Sequence, residues 1–268
     1  MADQSGRGVD SLMASTSQAA ATRFIILTTQ RSGSNWLADR LRSHPQVEVD
    51  GELFRRSQGS ADTYYSWQHR STVGSVLSTA LPAVSKNRYL AVRFGNPALP
   101  ATGFRLMYDQ LRRNPSLLVS LPHHDFSVLH LVRENVLDTH VSALAANASG
   151  KFISRGRRGT AEPVVVPTSD LVEQLERRMR LIRRHRRLVE QVSHLEVIYE
   201  EAVADPSDHD HCILSFLGVD TSIPLSSGLK RLLPPQTSDR IANLSEVTNV
   251  LANTAFAKFL KRHGDFAQ

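Results

Sequence analysis

Apolar residues gather along the chain in short blocks, and the spacing inside each block indicates what it becomes. In the first, Phe24, Ile25, Ile26, Leu27 and Thr28 follow one another without alternation, the pattern of a short strand buried on both faces. A turn centred on Gly33 comes next, and Trp36, Leu37, Arg40 and Leu41 then recur at helical spacing. Ser34 or Asn35 is suited to cap that helix. Residues 46–50 alternate like a second strand, 103–108 read as a third and 126–132 as the strongest. Helices are expected at 109–114, stopped by Pro115, and at 135–147. Leu171, Leu175, Met179, Ile182, Val189 and Val192 form one stripe of a long helix over 169–192. A strand at 195–199, a helix at 208–217 closed by Gly218, and a helical tail over 239–260 capped at Asn243 or Ser245 complete the pattern. Residues 55–102, polar with prolines at 82, 97 and 100, predict irregular helices and loops. Residues 1–22, rich in Ser, Ala, Gly and Gln, read as a disordered leader to a single domain over 23–268.

Strands alternating with helices predict an α/β fold, a three-layer α/β/α sandwich around a mostly parallel central sheet. Ligands of such sheets sit beyond the carboxyl ends of the strands. The residues at those ends are Arg31 with its turn, Glu52, Tyr108 and Arg133, so one carboxylate and two arginines are expected to converge on one crevice.

Composition narrows the class. The 268 residues suffice for one large core, and the single Cys212 excludes an internal disulfide framework and fits a reducing, cytoplasmic setting. No apolar run approaches the roughly 18 residues of a membrane span, and the first residues lack the pattern of a signal peptide. A net charge of +6 suggests anionic ligands, but it is too modest and too unevenly spread to argue for nucleic acid.

The first strand, turn and helix carry the chemistry. Free backbone N–H groups and the positive helix end point at one spot, Arg31 adds a fixed charge, and Ser32, Ser34 and Asn35 add donors, which together make an anion cradle. It is not a Walker A loop: no Gly-Lys-Ser/Thr ending is present and the loop is shorter, which disfavours a magnesium-dependent nucleotide kinase.

Here the residues carry a resemblance. Thr28-Thr-Gln-Arg-Ser-Gly-Ser-Asn-Trp-Leu37 resembles the 5′-phosphosulfate loop of sulfotransferases that use 3′-phosphoadenosine 5′-phosphosulfate, PAPS. His130-Leu-Val-Arg-Glu-Asn-Val-Leu-Asp-Thr-His-Val-Ser142 is similar to their 3′-phosphate segment, in which an Arg ends a strand and a Ser lies on the next helix. Gly51-Glu-Leu-Phe54 resembles the Gly-Glu-Pro-Phe motif of bacterial carbohydrate sulfotransferases of the trehalose and nodulation-factor type, with Leu53 in place of Pro. Gly103-Phe-Arg-Leu-Met-Tyr-Asp-Gln110, Tyr199-Glu-Glu201 and Phe216-Leu-Gly-Val219 read like the same group. The resemblance runs in order over residues 23–260.

It implies a P-loop-like α/β/α fold and a bacterial cytoplasmic enzyme moving a sulfuryl group from PAPS to a hydroxyl of a carbohydrate or other small molecule. Arg31, Ser32, Gly33, Ser34, Asn35 and Trp36 would hold the 5′ end, Arg133 and Ser142 the 3′-phosphate. Arg31 would also stabilise the leaving group, and Glu52 would be the general base. Adenosine 3′,5′-bisphosphate would be the product, with no metal, no nucleic-acid partner and no transmembrane segment; a homo-oligomer is compatible with everything above. The aromatics Tyr64, Tyr65 and Trp67 are expected at an acceptor pocket. Two other readings stay open: a small P-loop-like kinase, and a non-catalytic nucleotide-binding protein on the same fold. Asp208-His-Asp-His211 has the composition of a metal cluster but points in different directions on a helix. The arginines between 177 and 187 read first as a solvated face, and otherwise as a site for an anionic acceptor. A basic loop with Lys151, Arg155, Arg157 and Arg158 could close over PAPS.

Overall fold

The computed structural model describes residues 21–56, 62–70, 72–149, 162–229 and 236–260. Its frame is a five-stranded sheet in which every pairing is parallel, in the order β2-β3-β1-β4-β5. The strands are β1 (Thr22–Thr28), β2 (Val47–Asp50), β3 (Ala101–Met107), β4 (Phe126–Val132) and β5 (His194–Ile198). β1 is central: Ile25 pairs with Phe104 on one side and Val128 on the other. From β1 the chain leaves toward β2, whereas from β4 it leaves toward β5. The crevice where these paths diverge opens between the carboxyl ends of β1 and β4.

Both faces of the sheet are covered, which explains the unbroken apolar run of β1. Ile25 and Leu27 join one cluster with α4 (Pro82–Phe94), α7 (Val136–Ser149) and α8 (Leu171–Val189). Phe24 and Ile26 join a second with α1 (Ser34–Arg42) and α10 (Pro206–Leu217). The long stripe predicted for 169–192 is the buried face of α8 at Leu171, Leu175, Ile182 and Val189. Gly218, at φ 68, ends α10 with its N–H on the carbonyls of Leu214 and Ser215.

Several expectations change. Thr22 belongs not to a leader but to β1, with its N–H on the Pro100 carbonyl at 2.8 Å. Residues 72–94 are not irregular: α3 (Thr72–Ala80) and α4 are regular helices after the short α2 (Tyr64–Gln68), because Pro82 starts α4 at a position where no N–H is needed. After α5 (Tyr108–Arg113) an unforeseen α6 (Leu117–His123) leads into β4. Between β5 and α10 lies α9 (Tyr199–Ala204), and the tail is broken into two single-turn pieces flanking α11 (Leu244–Leu251). The leader up to residue 20 and the basic loop 151–158 lie outside the described residues.

Candidate active site

The turn after β1 is fixed by its own hydroxyls. Thr28 Oγ1 donates to the Leu131 carbonyl at 2.6 Å, tying the end of β1 to the end of β4. Ser32 Oγ lies 2.5 Å from Thr28 Oγ1 and 2.7 Å from the Thr29 carbonyl. Arg31 and Gly33 both take left-handed backbone, at φ 66 and 93. Neither Ser34 nor Asn35 caps α1: Gly33 occupies the N-cap position, and no side chain accepts from the first turn. The predicted cap is absent because Asn35 Oδ1 accepts from Arg105 instead. The first turn of α1 therefore has no side-chain cap, the arrangement in which helix N-termini take anions. A Cβ on Gly33 would lie 2.3 Å from the Tyr199 ring, which also meets Trp36 edge-to-face at 5.7 Å.

Arg133, immediately after β4, reaches the same turn. Its Nη1 donates to the Arg31 carbonyl at 3.0 Å, its Nη2 to Asp138, and its guanidinium carbon sits 4.6 Å from the Tyr199 ring centre. Arg240 donates to the other Asp138 oxygen, so one buried carboxylate is clamped between two arginines. Arg133 Nε is buried without a hydrogen-bond partner, 3.9 Å from Glu200. The Glu200 carboxylate is committed to the N–H groups of Glu134 and Asn135, at 3.1 and 3.0 Å, ahead of α7. Arg31 Nε donates to Ser142 Oγ at 3.2 Å. Burial lowers the pKa of Arg31, and the neighbouring Arg133 lowers it further. Arg31, Arg133 and Ser142, distant in sequence, are thus brought together.

The carboxylate lies on the β2–β3 side. Glu52 Oε2 accepts from Gln110 Nε2 at 2.6 Å, and Gln110 Oε1 accepts from the Met107 N–H at 3.3 Å. Arg105, on β3, links this side to the turn through Asn35. Burial lowers the Arg105 pKa against the opposing charge of Glu52, and its Nε has no hydrogen-bond partner. Arg105, Gln110 and Asp138 lie within segments that carry the resemblance, but neither their contacts nor those of Arg240 are marked in the sequence. Arg105 left a signal, a lone charge within an apolar strand; Asp138 lies close to Arg133 in sequence, and only Gln110 and Arg240 are brought to their carboxylates by the fold.

Tyr108 faces inward. Its hydroxyl is 2.7 Å from His130 Nε2, and its ring stacks on His185 at 3.7 Å and 5°. Burial brings His130 down to about 4, so it is uncharged at neutral pH. A cavity of about 1180 Å³ is lined by Tyr108 and other residues of α5 and α8 together with Thr29 and Gln30. By contrast, the aromatics expected at an acceptor pocket pack on one another. Tyr64 is buried and contacts Phe54, Tyr89 and Trp67 at ring separations of 5.5 to 6.3 Å, an aromatic core rather than a binding wall. Among the described residues no His, Cys, Asp or Glu group is arranged to hold a metal; Asp210 pairs with Arg40. No described helix is long and apolar enough to cross a membrane.

No protein-family model and no curated protein matches the sequence. Among solved structures, the chain is similar to a sulfotransferase from Alicyclobacillus acidocaldarius, at 16% identity over 90% of this chain and 94% of that one, with a TM-score of 0.49. It is also similar to the sulfotransferase domain of the Synechococcus PCC 7002 olefin synthase, at 17% identity over 87% and 89%, with a TM-score of 0.40. Likenesses at this level do not by themselves assign a reaction.

Proposed function

We propose that this protein is a sulfotransferase that moves a sulfuryl group from PAPS to the hydroxyl of a carbohydrate or other small acceptor. One observation carries the reading: the turn after β1 and the end of β4 meet, with Arg31 on Ser142 and Arg133 on the Arg31 carbonyl. These are the two segments that resemble the 5′ and 3′ anion sites of PAPS enzymes. The residues present fit such a donor. Two neighbouring arginines repel each other unless an anion lies between them, α1 offers an uncapped N-terminus, and Arg133 and Arg105 each hold a buried Nε without a hydrogen-bond partner.

In this reading the turn and Arg31 hold the 5′-phosphosulfate, and Arg133 with Ser142 the 3′-phosphate. PAPS supplies an activated sulfuryl group. Glu52, oriented by Gln110, takes the proton of the acceptor hydroxyl as its oxygen forms the new S–O bond. Arg31 offsets charge on the phosphate oxygen that the sulfur leaves, so that positioning and electrostatics supply most of the rate. Thermal denaturation tests the reading. Adenosine 3′,5′-bisphosphate should raise the melting temperature strongly while ATP with magnesium does little. Equal stabilisation by the two would support a kinase instead, and a wild type that binds the bisphosphate yet transfers to no acceptor would support a non-catalytic protein.

A further inference from the structure

The cavity beside the turn is lined by an array of cations that the donor reading leaves unused. Arg112 of α5 and Arg178, Arg183, Arg184 and Arg187 of α8 all face it, and none of the five has an ion pair or a hydrogen bond among the described residues. The arginines that do have partners use acids of their own helix: Arg177 with Glu173 at 3.5 Å and Arg180 with Glu176 at 3.0 Å. Asp109, the one acid lining the cavity among the described residues, is taken by Arg113 at 3.3 Å. A merely solvated face would not require Arg178, which is half-buried with no acid beside it and its pKa lowered by burial. Arg178 also lines a small cavity of about 40 Å³ with Thr29, Arg133 and Thr139, so the array runs up to the donor turn.

We propose that this cavity is the acceptor groove and that the acceptor is an acidic oligosaccharide, its carboxylate or sulfate groups held by the α5–α8 arginines while one hydroxyl reaches the turn. The proposal rests on the donor reading above and names its substrate class. Size argues for an extended ligand: about 1180 Å³ exceeds the roughly 300–1,000 Å³ usual for a small-molecule pocket. The lining argues against two other occupants of an anion-binding groove. Nucleic acid in single strands is gripped by exposed aromatic rings, but Tyr108 and His185 here are buried and stacked on each other. A lipid surface requires a continuous apolar face. The apolar groups here, Leu118 and Leu181 at 45% and 37% exposure, are scattered among the arginines, as suits sugar rings.

Isothermal titration of the whole chain, with adenosine 3′,5′-bisphosphate present, tests this against tetragalacturonate, maltotetraose and oligouridylate. Tetragalacturonate should bind at least about tenfold tighter than maltotetraose, an advantage that shrinks as salt rises. The R183A/R184A/R187A variant should lose that advantage and keep its affinity for the bisphosphate, which also shows that it is folded. Equal binding of the acidic and neutral tetrasaccharides, tighter binding of oligouridylate, or an unchanged preference in the variant would overturn the proposal. Failure of the bisphosphate itself to bind sinks the donor reading, whereas a galacturonate preference in the same titration still supports the groove.

Discussion

The two sides of the crevice are built by different means. At the ends of β1 and β4 the charged groups lock one another: Asp138 lies between Arg133 and Arg240, Arg133 holds the Arg31 carbonyl, and Arg31 reaches Ser142. At the ends of β2 and β3 the carboxylate of Glu52 is oriented by a neutral amide, Gln110. The difference teaches how each side can work. A site for a dianion benefits from donors fixed before binding, since their ordering cost is met by folding. In the proposed reaction a base has to accept a proton and release it, and Gln110 orients Glu52 by a neutral contact, with Arg105 acting on it only at longer range.

Four substitutions test this contrast, from the largest expected effect to the smallest. Glu52→Gln should lower the transfer rate by about 10²–10⁴-fold while bisphosphate affinity in titration calorimetry stays unchanged. A parallel loss of affinity would erase the division between the two sides. Gly33→Ala places a Cβ within 2.3 Å of Tyr199 on left-handed backbone, and should cost about 2–4 kcal/mol in denaturant unfolding, with partial recovery in Gly33→Ala/Tyr199→Leu. A smaller cost would mean that the turn is looser than its contacts indicate. Arg133→Lys keeps a charge but loses the fork that spans Arg31 and Asp138. It should weaken bisphosphate binding by about ten- to a hundredfold, read by calorimetry, with the bound-state transfer rate less affected. Ser142→Ala should weaken the same binding only several-fold, since one neutral hydroxyl contributes about 0.5–1.5 kcal/mol.

What the sequence made legible follows the range of the interactions involved. β1 was readable because its neighbours on both faces are apolar, so it needs no alternation. Arg133 was readable because it comes directly after the strongest strand. His130 was expected inside that strand and is held there by Tyr108. Arg105 was less legible: it donates to Asn35 and lies in the field of Glu52, both from other segments, and nothing local marks either interaction. Arg240 was missed for the same reason, since its carboxylate lies in α7. Tyr64 misled because composition cannot tell a binding wall from a core cluster. Pro82 misled because a proline that stops a helix in mid-course also starts one.

The position of β1 has a consequence for how the chain comes to be. Phe24 sits between Gly103 and Ser127, so the central strand is made before either of its neighbours. At usual synthesis rates of about 5–20 residues per second, β1 waits roughly 5–20 s for β4 to be completed. During that interval Phe24, Ile25, Ile26 and Leu27 form an unpaired apolar edge that must be kept from other nascent chains. The strand at the centre of the finished sheet is therefore the one that waits longest for its neighbours while the molecule is being made.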